Sequence, residues 1–165
     1  MIRQITICAV MLCGMQTFGN AQQASTDSTT SCNFEDGKQI SVRYGTESHG
    51  QKDDVKSGKI WTPAGQPMLL FTQTALLVNN TDIPTGAYSL YFVPGKGHWL
   101  LIVNKDVDSG NKYNKSDDLM RISMDTAEIS QPANFNMVFG HMAPKQCNLR
   151  VYEGKNAAWA EFHEK

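Results

Sequence analysis

Two runs, Ala87 to Val93 (AYSLYFV) and His98 to Asn104 (HWLLIVN), are separated only by Pro94-Gly95-Lys96-Gly97. Aromatic and β-branched residues fit a pleated, half-buried surface, while proline and glycine supply the backbone angles of a tight reversal. The segment therefore reads as an antiparallel hairpin. Leu100 to Val103 is apolar at successive positions, hence on both faces of a strand, which places the hairpin at the centre of a sheet.

Period-two alternation recurs on either side. Upstream, Ile40, Val42 and Tyr44 alternate with Ser41 and Arg43, and Asp36-Gly37 joins this strand to Cys32 to Phe34 in a second hairpin. Thr46 to Lys59 is polar and reads as a long loop, with Trp61 the first large anchor after it. Met68 to Val78 reads as one strand, bulged or broken near Gln73 to Ala75 and closed by Asn79-Asn80-Thr81-Asp82 and Pro84. Downstream of a charged loop, Lys105 to Asp118, the triplets Met120/Ile122/Met124, Phe135/Met137/Phe139 and Cys147/Leu149/Val151 each mark a strand. A last strand spans Ala157 to Phe162. Thr126 to Ile129 could form a single helical turn, and no longer helical period occurs. About seven to eight short strands without helices predict an all-β fold, an antiparallel β-sandwich with a barrel-like closure as the alternative.

The first residues carry a different signal. Arg3, the apolar run Ile5 to Met15 (ITICAVMLCGM) and the small residues of Gly19-Asn20-Ala21 together form a secretory signal peptide over residues 1–21. The run is shorter than the roughly 20 residues a membrane helix needs, and no later stretch reaches that length. No transmembrane segment is expected after cleavage. Cys13 is preceded by Leu12 rather than a small residue, which argues against a lipoprotein. Residues 22–31 (QQASTDSTTS) lack large apolar side chains and read as a flexible polar tether, leaving 32–165 as a single all-β domain. The expected location is periplasmic or extracellular.

Outside the leader only Cys32 and Cys147 remain. An oxidising compartment makes this pair a disulfide. Cys32 shares a strand face with Phe34, and Cys147 shares one with Leu149 and Val151, so both sulfurs point to the core.

Charge and motifs exclude more than they select. A formal net charge of -1 with no basic stripe argues against nucleic acid and against an anionic membrane surface. His49, His98, His141 and His163 lack the close spacing of zinc motifs, so no metal and no cofactor is expected. Asp106-Val107-Asp108-Ser109-Gly110 resembles a calcium loop, but its glycine falls one place early and no bidentate glutamate follows. No serine sits in a nucleophile elbow, and the neighbours Asp53-Asp54 and Asp117-Asp118 point to opposite faces of a strand. Asp118 and Arg121 are expected to form a structural ion pair. Trp61, Trp99 and Trp159, with Tyr88 and Tyr91, either fill the core or line a groove for a sugar or peptide.

The segments Trp61 to Thr72 (WTPAGQPMLLFT), Ile83 to Gly95 (IPTGAYSLYFVPG), Trp99 to Lys105 (WLLIVNK), Asp118 to Arg121 (DLMR) and Gly140 to Arg150 (GHMAPKQCNLR) together resemble the bacterial family called domain of unknown function 2911. The resemblance covers nearly all of the chain from Cys32 onward and implies an exported β-rich domain with no catalytic residues to carry over. Many members look to carry Trp-Arg-x-Gly-Ala-Asn-Glu-Ala-Thr where this chain has Trp61-Thr62-Pro63-Ala64-Gly65-Gln66-Pro67, so roles for that Arg, Asn and Glu do not transfer. The leading expectation is a non-enzymatic binding or interaction module in the bacterial cell envelope, with an unknown ligand or envelope partner. Trp61, Trp99, His98 and His141 are its candidate ligand-binding residues. One rival is a hydrolytic or metal-dependent enzyme using His98, His141, Asp106 and Asp108; the other is a structural envelope protein without a small ligand.

Overall fold

The computed structural model describes residues 26–46, 55–108 and 112–165. Nine strands follow the alternations of the sequence: β1 (Thr26–Asn33), β2 (Gln39–Thr46), β3 (Met68–Thr72), β4 (Leu76–Val78), β5 (Thr81–Ile83), β6 (Gly86–Val93), β7 (Trp99–Asn104), β8 (Asp118–Ala143) and β9 (Gln146–Glu164). Their hydrogen-bonded order is β1-β2-β3-β6-β7-β8-β9-β4-β5, antiparallel throughout. The β6–β7 hairpin stands in the middle of that order, as its two apolar faces require.

Two strands are far longer than the alternation suggests, and each changes phase partway. The core side of β8 is Met120, Ile122 and Met124 at first, then Phe135, Met137 and Phe139, all buried. That switch from even to odd positions is absorbed where the β8–β9 register slips between Glu128 and Ala133 and again before Asn136. In β9 the core side passes from Cys147, Leu149 and Val151 to Ala158, Ala160 and Phe162, with Gly154 at φ 57° between them. Segments expected as four separate strands are thus the arms of one bent ribbon. Its first arm continues from β7, whose ladder to β8 ends at Trp99 and Met124. Its second arm lies across β1 and β2 and closes the core.

Three contacts fix that closure. Cys32 on β1 and Cys147 on β9 form the expected disulfide, with Cα atoms 6.2 Å apart and 115 residues between them in sequence. No backbone ladder joins β1 to β8. Instead, side chains serve the free edge of β8: the Phe139 N–H donates to Thr30 Oγ1 (2.8 Å), and the Met137 N–H donates to the Tyr44 hydroxyl (3.3 Å). That hydroxyl in turn lies 2.9 Å from Asn136 Oδ1. The architecture is a folded, open antiparallel sheet, a sandwich with one seam closed by side chains.

Several expectations need correction. Thr26 to Ser31, read as tether, belong to β1, which pairs with β2 along its whole length. Apolar content misleads there because Thr30 contributes a hydrogen-bond acceptor instead of buried surface. Thr126 to Ile129 form no helical turn, since Thr126, Ala127 and Glu128 find backbone partners in Ala158, Ala157 and Asn156. The break at Gln73 to Ala75 carries the chain from the β2–β3–β6 side to the β9–β4–β5 side, where Asn79 and Asn80, at φ 45° and 62°, turn the β4–β5 hairpin. The leader 1–21, residues 22–25 and residues 47–54 of the long loop lie outside the described residues.

The outer face of the central strands is also covered. Tyr91 and Ile102 alternate with core residues yet are only 1% and 0% exposed. Residues on either side of 109–111 pack on this side: Tyr113 stands edge-on to Tyr91, ring centroids 5.0 Å apart, and Ser89 Oγ donates to the Asp106 carbonyl at 2.8 Å.

Because the disulfide ties β9 back to β1 across most of the chain, its loss should be costly. Cys32→Ser in protein beginning at residue 22 is expected to lower stability by about 4 kcal/mol in guanidinium denaturation, the scale of closing a loop of roughly 100 residues. A midpoint unchanged by the substitution, or two reactive thiols in unreduced native protein, would contradict the closure described.

Candidate functional site

Of the candidate residues, Trp61 and Trp99 meet each other, inside the core. Trp61 and Trp99 are 6% and 3% exposed and stack edge-to-face at 5.7 Å, with Phe135 against Trp61 at 5.2 Å. They are core residues whose surfaces are largely used by T-shaped ring contacts and burial, although an edge of Trp99 borders an open cavity of about 290 Å³ beside Gly95, Gly97, Thr126 and Asn156. Tyr88 and Tyr91 are buried as well. His98 and His141 are both exposed. His98 precedes Trp99 at one end of β7, and Asp106 follows its other end, roughly 20 Å away at the rise of a strand. His141 lies opposite Cys147, beside the β8–β9 turn. The Asp106 and Asp108 pair forms a local turn, Asp106 Oδ1 accepting the Asp108 N–H at 3.0 Å. Ser109, Gly110, His49, Asp53 and Asp54 lie outside the described residues. Among the described residues no three His, Cys, Asp or Glu side chains gather as a metal-binding set, and no helix is long and apolar enough to cross a membrane.

A different constellation emerges from the bend of the ribbon. Where Cys147, Leu149 and Val151 face the core, Asn148, Arg150 and Tyr152 face outward; beyond the phase change at Gly154 the outward set is Ala157, Trp159 and Glu161. Both sets, with Ile129 and Met142 of β8, line one open cavity of about 340 Å³. That volume lies within the range of roughly 300–1,000 Å³ typical of small-molecule sites. Trp159 is the tryptophan that the core leaves half-buried at the surface. Asn148 is only 3% exposed, and its Oδ1 accepts a hydrogen bond from Arg150 Nε at 3.0 Å. Since a guanidinium can only donate, this bond fixes which way the amide points. Met142, 51% exposed, sets its sulfur 3.8 Å from the Arg150 Nη2. Sequence reasoning named Trp159 among the aromatics but missed its neighbours. Their signal was the same alternation that located the core, read for the other face.

The strongest electrostatic cluster lies elsewhere, at the foot of the covering segment. Asp118, with a side chain 10% exposed, accepts hydrogen bonds from Arg121 Nε (2.6 Å), the Tyr113 hydroxyl (2.6 Å) and Asn104 Nδ2 (2.9 Å). The Arg121 guanidinium also bonds Tyr113 and lies 5.8 Å from the centre of its ring. Burial pushes the Asp118 carboxyl upward, but the three donors outweigh it and hold the group below its ordinary value. Burial and the adjacent Asp118 push the Tyr113 phenol up. The carboxylate is saturated by its own chain, so this expected ion pair is a clamp on the covering segment.

A family model described as Protein of unknown function (DUF2911) matches residues 25–158, from the start of β1 into the second arm of β9. No curated protein matches the chain, and no solved structure does.

The Asp118 clamp makes stability depend on pH in a defined direction. A carboxyl whose folded value is depressed stabilises the fold above its unfolded value, near 4, and that contribution disappears as pH falls through the folded value. Asp118→Asn is therefore expected to cost about 1–3 kcal/mol at pH 7 and progressively less as pH falls through the folded value, where the native residue is itself protonated. Denaturant titrations of both proteins across this range check it; a difference independent of pH would rule out the charged clamp.

Proposed function

The chain belongs to the DUF2911 family, and we propose that it is an exported binding module whose ligand site is the cavity on the outer face of the β8–β9 ribbon. The observation that carries this reading is the company Trp159 keeps. A half-buried indole and the Tyr152 ring share an open cavity with Asn148 and Arg150, while the other two tryptophans are buried in the core. Aromatic rings with one apolar body and one polar tip are suited to surfaces that must hold a ligand and remain wet. A few fixed polar groups among apolar walls are the usual composition of a recognition site. Export rests on the leader-like residues 1–21 together with the Cys32–Cys147 bridge, which belongs to an oxidising space. A periplasmic or extracellular setting brings such a groove into contact with envelope polymers.

The reading assigns no role to His98 or His141. Glycan and peptide arrays probed with the leaderless protein are expected to reveal a ligand whose binding falls at least about tenfold in Trp159→Ala, a loss of 1.4 kcal/mol or more. The same ligand should be held normally by His98→Ala and His141→Ala. A ligand held equally well without Trp159 would move the site elsewhere.

A further inference from the structure

The cavity's chemistry narrows its occupant. Around it the backbone is spent: Asn148 pairs with Gly140, Arg150 with Val138 and Tyr152 with Asn136 in the β8–β9 ladder. A peptide strand would find no free ladder to extend, which is the source of affinity when extended peptides add to a sheet. Recognition here falls to side chains, and their balance is uneven. Arg150 fixes Asn148 Oδ1, so the amide nitrogen is turned away from the guanidinium. That nitrogen bonds no described residue but is not sealed from solvent, since the one fully buried side-chain nitrogen or oxygen without a partner among the described residues is Trp61 Nε1. Arg150 itself contacts only Asn148 and the Met142 sulfur through its side chain, and no carboxylate of the described residues lies within ion-pair distance of it. Glu161, the one acid lining the cavity, instead faces His163 at 3.6 Å.

An amide donor open to the cavity and a cation without a counter-ion among the described residues thus stand beside two aromatic faces. Resting on the site proposed above, we infer that the occupant is an acidic saccharide. A pyranose ring lies its C–H face against Trp159 and Tyr152, its carboxylate meets the Arg150 guanidinium, and its hydroxyls take the Asn148 amide and Glu161. A single guanidinium matches a single carboxylate, the pairing its planar fork favours. The Asn148 amide donates to a ligand oxygen in place of water, a net gain smaller than that of the charge-assisted pair.

Isothermal titration calorimetry of the leaderless, oxidised protein tests this with tetragalacturonate and a hyaluronan tetrasaccharide, each beside its methyl-esterified form. At least one acid is expected to bind about tenfold or more tightly than its ester, the scale of one charge-assisted hydrogen bond. Arg150→Gln should erase that preference, whereas Trp159→Ala should weaken acid and ester together and leave the preference standing; thermal unfolding of both variants checks that each is folded. Equal binding of acid and ester overturns the carboxylate inference and leaves the groove standing. Silence toward both acids overturns the inference too, and if the arrays then return a Trp159-dependent peptide, the groove reading survives with a different ligand. Saccharide binding indifferent to both Trp159 and Arg150 overturns the inference and the proposed site alike.

Discussion

A sheet with an apolar inner face and, among the described residues, no α-helix to cover it must be covered by itself, and this constraint shapes the described fold. The first layer presents Ile40, Val42, Leu70, Leu90 and Leu101 on its inner side, all fully buried. Their cover comes from the ribbon of β8 and β9, which can reach them only by bending. Each bend costs the strand one step of its alternation, and the disulfide between β1 and β9 holds the returning arm in place. Tyr44 and Thr30 finish the seam by serving backbone groups that no neighbouring strand reaches.

Covering the core in this way creates the surface on the other side. Because the phase slips at Gly154, the outward residues of both arms, Asn148 to Tyr152 and Ala157 to Glu161, come to line a common cavity. The ribbon is therefore lid on one face and site on the other. The opposite layer solves its exposed centre differently: Tyr113, after β7, stands against Tyr91 and is clamped at Asp118. One titratable group thus secures the covering segment, whereas no ionised pair is needed between Cys32 and Cys147.

Much of this was legible from residue order. The β6–β7 hairpin, its central place, the Cys32–Cys147 pairing and the ion pair of Asp118 with Arg121 all follow from local rules, period two, turn residues and proximity, which the structure obeys. The fusion of Met120–Met124 with Phe135–Phe139 was not legible, since a change of phase looks the same whether a turn or a bulge causes it. β1 was hidden because Thr and Ser can be held in a strand by hydrogen bonds that composition does not register. The groove was legible only in part: Trp159 stands out, but nothing local distinguishes it from Trp61 and Trp99, whose burial is decided by Phe92 and Phe135 from distant strands. Neither could order alone reveal that His98 and His141 are both exposed, one before β7 and the other beside the β8–β9 turn.

The central claim is that one ribbon uses its two faces for separate purposes. Amide and side-chain nuclear magnetic resonance of the labelled protein, titrated with whichever saccharide binds, tests it directly. Shifts should concentrate at the Asn148 side-chain amide, the Arg150 Nε–H and the Trp159 indole N–H, while the Trp61 and Trp99 indoles stay unmoved. Perturbations centred on Trp61, Trp99 or the His98 turn, with the outer face silent, would contradict the account.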